Sequence, residues 1–273
     1  MSTSQQYLNG LEGQQVTLNP HPQAPVEFPT GHWIIIEKLQ ERAYPLTQDD
    51  IDIDIDRRPP CVQGKFLCAL SLPEGPPVVA FLRIFKQIPI TGTELQRPDV
   101  RATQAARCDH PTELDALLAV KEHNLKFKGQ SITPRVIGYR HDEQDQHDLV
   151  PGGYLVYLAW EKVPGVSLDH KTFWDAPFST RQSIRETFVN IYTQLIKSGY
   201  DPSPPMLSKI IYDWTSGDMH ISGFNSAVEI DKTKQWTDLF FVAFGLVQYT
   251  TAFDQVFPVT NPDAQTDING WKW

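Results

Sequence analysis

The chain has 273 residues, 40% of them hydrophobic and 21% charged, which suits one large domain or two small lobes with a sizeable core. Its 24 basic and 33 acidic side chains give a formal net charge of −9, which argues against a nucleic-acid partner held mainly by a phosphate-neutralising surface. The polar N-terminus has no secretory core and no apolar run approaches the ~20 residues of a membrane helix, so a cytoplasmic protein away from the membrane is expected.

Residues 1–30 are rich in Gln, Asn, Pro and Gly and read as an extended N-terminal arm. Trp33 to Leu39, WIIIEKL, is the first strand. In DDIDIDID, Asp49 to Asp56, acid and isoleucine alternate with period two. A strand there would place Asp50, Asp52, Asp54 and Asp56 on one face. The plain reading is a solvated edge strand or an insertion loop; the sharper one is an acidic lip that attracts a cationic ligand. A metal site is not expected, because a strand face spreads its carboxylates apart. Lys65 to Leu72 and Val78 to Phe85 predict a hairpin turned by Pro73-Glu74-Gly75-Pro76-Pro77. A loop-like stretch follows from Lys86 to His110.

Pro111 opens a helix that Asp109 could cap. Leu114, Leu117, Leu118 and Leu125 give it one apolar face, and its end is expected near Lys128-Gly129. TPRVIGY, Thr133 to Tyr139, starts another strand. His141 to Asp148, HDEQDQHD, reads as a solvated loop tip ahead of a metal cluster. The next stretch, Gly152 to Leu168, begins as a buried strand, turns polar at Glu161 and Lys162, and breaks at Pro164-Gly165. A β-rich half precedes it and a mainly helical half follows, so it is expected to be a hinge. The expected division is an arm over 1–30, a β-rich lobe over 31–158, and hinge plus helical lobe over 159–273.

Ser179 to Ser198 is the strongest predicted helix. Ser179 with Gln182 fits a capping box, Ile184, Phe188, Ile191, Tyr192, Leu195 and Ile196 form one stripe, and Gly199 ends it. Pro202-Ser203-Pro204-Pro205 forces an extended loop. KIIYDW and DMHISGF then predict a hairpin around Thr215-Ser216-Gly217. Trp236 to Tyr249, apolar nearly all round, predicts a buried final helix, and the tail from Pro258 reads as loose.

From Trp33 to Tyr249 these patterns resemble protein-kinase-like and aminoglycoside-phosphotransferase-like proteins, small fungal ones in particular. YLV…EKVPGVSL is similar to their hinge. VVAFLRIF resembles the strand that carries the phosphate-binding lysine, with Arg83 in its place. TELDALLAVKEHN resembles the helix after it, where Glu113 would pair with that cation. KIIYDWTSGDMHISGFNSA is similar to the magnesium-binding segment. The resemblance implies an α+β fold in two lobes, a β-rich N-lobe and a mainly helical, shortened C-lobe. Kinase chemistry needs a proton-accepting Asp and an Asn and a second Asp on magnesium. By the resemblance those positions read Pro204, Lys209 and Gly223. Asp201 and Asp213 are the nearby carboxylates, no Gly-rich loop joins the first two strands, and Arg83 is always charged.

The favoured function is therefore a kinase fold that has lost phosphotransfer, a pseudokinase-like ligand-binding or scaffold protein. The alternative is a kinase fold repurposed as a non-phosphoryl transferase in small-molecule or peptide biosynthesis, for example an aminoacyl-tRNA-dependent, arginine-containing cyclodipeptide synthase. A divergent small-molecule kinase is the weaker third. Arg83 and Glu113 are the candidate catalytic residues, equally readable as a structural ion pair. Glu161, Val163, Asp50, Asp52, Asp54 and Asp56 are the candidate ligand contacts. No cofactor or metal is expected. The expected ligand is a cationic small molecule in the inter-lobe cleft, with a protein partner open under the scaffold reading. Cys61, Cys68 and Cys108 have neither metal-site spacing nor a suggestively placed His, and suit a reducing compartment.

Overall fold

The computed structural model describes residues 6–20, 31–54, 58–72, 74–107, 111–249, 267 and 270–273. Its elements in chain order begin with β1 (Gln15–Thr17), β2 (Asn19–Pro20), β3 (His32–Tyr44), α1 (Gln48–Ile53), β4 (Cys61–Leu70), β5 (Val78–Gln87), α2 (Pro98–Ala102) and α3 (Thr112–Glu122). Then come β6 (Lys126–Phe127), β7 (Gln130–Ser131), β8 (Val136–Glu143), β9 (Tyr154–Glu161), β10 (Val166–Ser167), α4 (His170–Asp175) and α5 (Phe178–Ile196). The last are β11 (Tyr200–Asp201), β12 (Ile210–Tyr212), β13 (Met219–Ile221), β14 (Val228–Glu229), α6 (Leu239–Phe244), β15 (Gln248–Tyr249) and β16 (Trp271–Lys272). The fold is mixed α and β, in two compact units: Met1–Pro111 with Arg135–Lys162, and Thr112–Pro134 with Val163–Trp273.

The first unit is built on one antiparallel sheet in the order β1-β3-β4-β5-β9-β8-β2. β1 and β2 stand at opposite ends of that order, yet only Leu18 separates them in the chain. One extended segment thus bonds both edges and closes the sheet on itself. Period-two alternation along β4 buries Val62, Phe66, Cys68 and Leu70, and along β5 Ala80, Leu82 and Ile84. Leu8, Val16 and Leu18 join that core. The expected N-terminal arm is partly ordered against the body: residues 6–20 pack into the sheet. Burying three such side chains contributes roughly 5 kcal/mol or more toward ordering the segment. Two glycines admit it. A β carbon at Gly64 would lie 2.6 Å from Leu8 Cδ1, and one at Gly138 would lie 2.7 Å from the Asn19 carbonyl oxygen.

From Asp49 to Ile53 the acidic segment is helix, where its alternation predicts a strand or an insertion loop. Thr47 caps α1 in a reciprocal box: its hydroxyl accepts from the Asp50 amide and Asp50 Oδ2 accepts from the Thr47 amide at 2.9 Å. No residue of α1 is buried, so no core face exists to hold a period of two and the cap decides. Asp56 and Arg57 lie outside the described residues, as do Pro73 in the hairpin turn and Cys108.

β5 runs on to Gln87, where the loop after it is tied down by buried amides. Gln87 Nε2 donates to the Gln104 carbonyl at 2.7 Å, its Oε1 accepts from the Ala106 amide, and Gln144 Nε2 donates to the Gln87 carbonyl. β8 continues to Glu143, so His141, Asp142 and Glu143 are strand, paired with Val156, Leu155 and Tyr154. Only the remainder of HDEQDQHD is a turn.

In the second unit α3 ends at Glu122, short of the expected Lys128-Gly129; Asp109 lies outside the described residues. Lys128 and Gly129, with φ of 50° and 85°, instead form the two-residue turn of the β6–β7 hairpin. The strongest predicted helix is α5, and the whole predicted stripe from Ile184 to Ile196 is buried. Six such side chains contribute on the order of 10 kcal/mol. Its N-cap is Pro177 with no side-chain bond, so the Ser179–Gln182 box does not form; Ser179 sits inside the first turn. Gly199, at φ +84°, ends the helix as expected. The final helix is shorter than predicted. α6 spans six residues and stops at Gly245, whose left-handed φ of +76° lets its amide close on Val242. β15 follows and pairs with β16, so Trp271–Lys272 of the expected loose tail is ordered strand.

Candidate functional site

The predicted KIIYDW–DMHISGF hairpin forms as β12 and β13, with Tyr212 opposite Met219 and Asp213 bonded across the turn to Asp218. A single 3-10 turn, Leu207–Lys209, feeds into β12, and Gly223 follows β13. The two ends of this hairpin meet. The Ser222 amide donates to the Lys209 carbonyl at 2.8 Å. Gly223 has φ +76°, and a β carbon there would lie 3.0 Å from Lys209 Cγ and 3.3 Å from its Cδ and Cε. The lysine stem therefore covers the space a side chain at 223 would need.

Lys209 is 7% exposed. Its Nζ donates to the Ser203 carbonyl at 2.8 Å, and Asp201 and Glu113 act on it electrostatically. Burial lowers its pKa to about 8 against the pull of those two carboxylates. Asp201, on β11, interacts with the Tyr192 hydroxyl from α5. Burial raises the Asp201 pKa, opposed by Tyr192, Lys234 and Lys209. The Tyr192 hydroxyl is raised by burial and then by the Asp201 charge. Glu113, in the first turn of α3, is 3% exposed. His220 on β13 anchors the same region, with Nδ1 at 2.9 Å from the Ser131 carbonyl. The result is a buried cluster of one amine, two carboxylates and a phenol. Its amine is held by one carbonyl, that of Ser203, with the two carboxylates acting on it at longer range. Among the described residues no three His, Cys, Asp or Glu side chains are grouped to hold a metal ion.

The other predicted residues lie as follows. Arg83 is buried on β5, with its guanidinium 5.4 Å from the Trp160 ring centroid. Lys65, opposite Arg83 on β4, places Nζ 4.0 Å from the Phe81 ring centroid. Phe81 and Trp160 are register partners with rings 6.0 Å apart, so two cations sit over two aromatic rings on one face of the sheet. Arg83 belongs to the first unit and Glu113 to the second. Glu161 has structural work: it accepts from the Arg135 amide at 2.9 Å and from Arg135 Nε at 2.8 Å, locking the end of β9 to the approach to β8. Val163 is buried. On α1, Asp50 is occupied by the cap and Asp52 accepts from Gln48 at 2.8 Å; Asp54 is the C-cap. The pairing of Asp201 with Tyr192 is not legible in the sequence. Tyr192 fits the apolar stripe of α5, and nothing local marks its hydroxyl as facing a carboxylate.

No protein-family model matches the chain, and no curated protein matches it. Among solved structures, the protein kinase PK-1 of Cydia pomonella granulovirus is similar at a TM-score of 0.42 and 13% identity. The likeness covers 72% of this chain and 52% of that kinase, so the chain spans about half its length.

Proposed function

We propose that this is a two-lobed kinase-like fold in which a lysine-centred polar cluster stands where a phosphotransferase holds magnesium, and that it acts as a pseudokinase-like ligand-binding or scaffold protein. The observation that carries this is the packing of Lys209 on Gly223. Under the resemblance, those two positions are the asparagine and the second aspartate that hold the metal. Here one supplies a cation and the other has no side chain, and the cation's stem fills the space between them. The Lys209 ammonium, bonded to the Ser203 carbonyl, repels a divalent ion in place of binding it.

Calorimetry of ATP with and without Mg2+, with a labelled-phosphate transfer assay, tests this. The expected result is no tightening on adding Mg2+ and no transfer. Magnesium-dependent tightening together with transfer to any acceptor overturns it. One observation favours a second reading, a non-phosphoryl transferase. An amine with a pKa of about 8 beside a buried carboxylate can serve as a base for acyl transfer. Transfer of an aminoacyl group from its ester to an added amine acceptor, with release of the donor's hydroxyl and with loss of the transfer in Lys209→Met, would move the conclusion to that reading.

A further inference from the structure

We propose that Arg185, beside Arg181 on the buried side of α5, holds a small monovalent anion, chloride, inside the second unit. The two guanidiniums belong to side chains four residues apart on neighbouring turns, 1% and 0% exposed. They share the same walls. The Trp174 ring centroid lies 5.9 Å from Arg185 Cζ and 5.2 Å from Arg181 Cζ, and the Phe178 centroid lies 5.8 Å and 5.6 Å away. Phe173 and Trp273 close in on Arg185 at 5.6 Å and 5.5 Å. Arg181 Nη1 donates to the Ala176 carbonyl at 2.7 Å and its Nη2 to the Trp273 backbone oxygen at 3.2 Å. Arg185 Nε donates to the Leu246 carbonyl at 2.9 Å, and its Nη1 to the Gln182 side-chain oxygen at 3.5 Å. Arg185 Nη2 is buried, and among the described residues nothing accepts from it.

A guanidinium does not shed its proton to escape burial, so its charge has to be answered where it sits. Ring faces and uncharged acceptors answer part of it. A second cation works against them. Burial, and then the Arg181 charge, bring the Arg185 pKa down to about 10, which still leaves the group charged at neutral pH. An anion beside Nη2 meets the free donor and offsets the repulsion between the two arginines at once. Charge and size of the occupant follow from the surroundings. The cost of desolvation grows with the square of the charge, so a monovalent ion enters where sulfate or phosphate does not. Side chains sealed to 1% exposure or less leave no path for a carboxylate carried by another macromolecule. A free carboxylate brings a second oxygen that needs its own donor. A halide accepts from any direction and suits the positive edges of aromatic rings. The bound ion ties α5 to Phe173 of α4 and to Leu246 after α6, and so stabilises the second unit.

The test follows thermal unfolding of the full chain as sodium chloride replaces sodium gluconate at constant ionic strength. The melting temperature should rise by roughly 2–4 °C for each tenfold increase in chloride above its dissociation constant. The chloride NMR line should broaden on adding the protein and sharpen again when bromide displaces the ion. Arg185→Met should lose both responses. In gluconate it should melt no lower than the unaltered chain, because the methionine carries no charge to bury. A purely structural arginine would lower the melting temperature of that variant equally in both salts, and that result overturns the proposal. Equal melting of the unaltered chain in the two salts overturns it too. So does line broadening that survives in Arg185→Met, which would mark an adventitious ion elsewhere. If Arg185→Met does not fold, crystals grown in bromide decide. An anomalous peak within hydrogen-bonding reach of Arg185 Nη2 upholds the assignment, and none there overturns it.

Discussion

Lys209 lies along Gly223 so closely that a β carbon at 223 would stand 3.0 Å from its Cγ. The glycine also holds φ +76°, a conformation that L side chains rarely adopt. Two independent reasons therefore make position 223 a glycine while 209 is a lysine. Gly223→Ala is expected to cost about 1–3 kcal/mol, from backbone strain plus crowding. Adding Lys209→Ala to it should recover only the crowding part. Chemical denaturation of the single and double variants reads the coupling between the two positions; strictly additive effects would mean that the stem does not pack on the glycine.

The lowered pKa of Lys209 gives a pH signature. The folded amine titrates at about 8, and an unfolded lysine near the ordinary 10.5. Between those values the unfolded chain binds more protons, so stability rises with pH across that window. The gain should be on the order of 2 kcal/mol between pH 8 and 10, and it should vanish in Lys209→Met. Asp201→Asn removes one carboxylate that favours the ammonium, so the amine should titrate still lower. Denaturant midpoints across the window measure the first effect, and NMR of the labelled lysine measures the second.

In the first unit the loop after β5 depends on amide groups that are buried and bonded. Gln87→Leu leaves the Ala106 amide and the Gln104 carbonyl without their partner. The expected loss is about 1–3 kcal/mol per orphaned group. Hydrogen exchange should rise across residues 88–107 before it rises in β4. Uniform acceleration across the sheet would show that the network does not act locally.

The acidic helix separates its own carboxylates by role. Asp50→Ala removes the acceptor of the Thr47 amide, the return half of the capping box, and should cost about 1 kcal/mol. Asp52→Asn with Asp54→Asn, both exposed, should change stability by less than ~0.5 kcal/mol. If that double variant also leaves the binding of guanidinium- and amine-bearing ligands unchanged, the acidic-lip reading of these residues fails.

Sequence alone determined the elements whose apolar spacing is long and one-sided. α5 was legible because six residues from Ile184 to Ile196 repeat on one face, and β4 and β5 because their alternation is sustained on a buried sheet. The β12–β13 hairpin was legible from its turn residues, and with it the places of Lys209 and Gly223 at its two ends. Local pattern failed where nothing was buried to enforce it. DDIDIDID reads as a strand by period, but with no core face the Thr47 cap imposes a helix. Trp236 to Tyr249 is apolar nearly all round, yet Gly245 at left-handed φ ends the helix after Phe244, whose ring packs with Phe188 and Tyr192. Two features belong to tertiary structure alone. Closure of the sheet depends on sheet edges formed by residues 32–44 and 136–143, far apart in the chain, meeting one short segment whose sequence looks like a tail. The cluster around Lys209 draws Glu113, Tyr192 and Asp201 from three separate elements. Its chemistry follows from shared burial, a property that no spacing along the chain encodes.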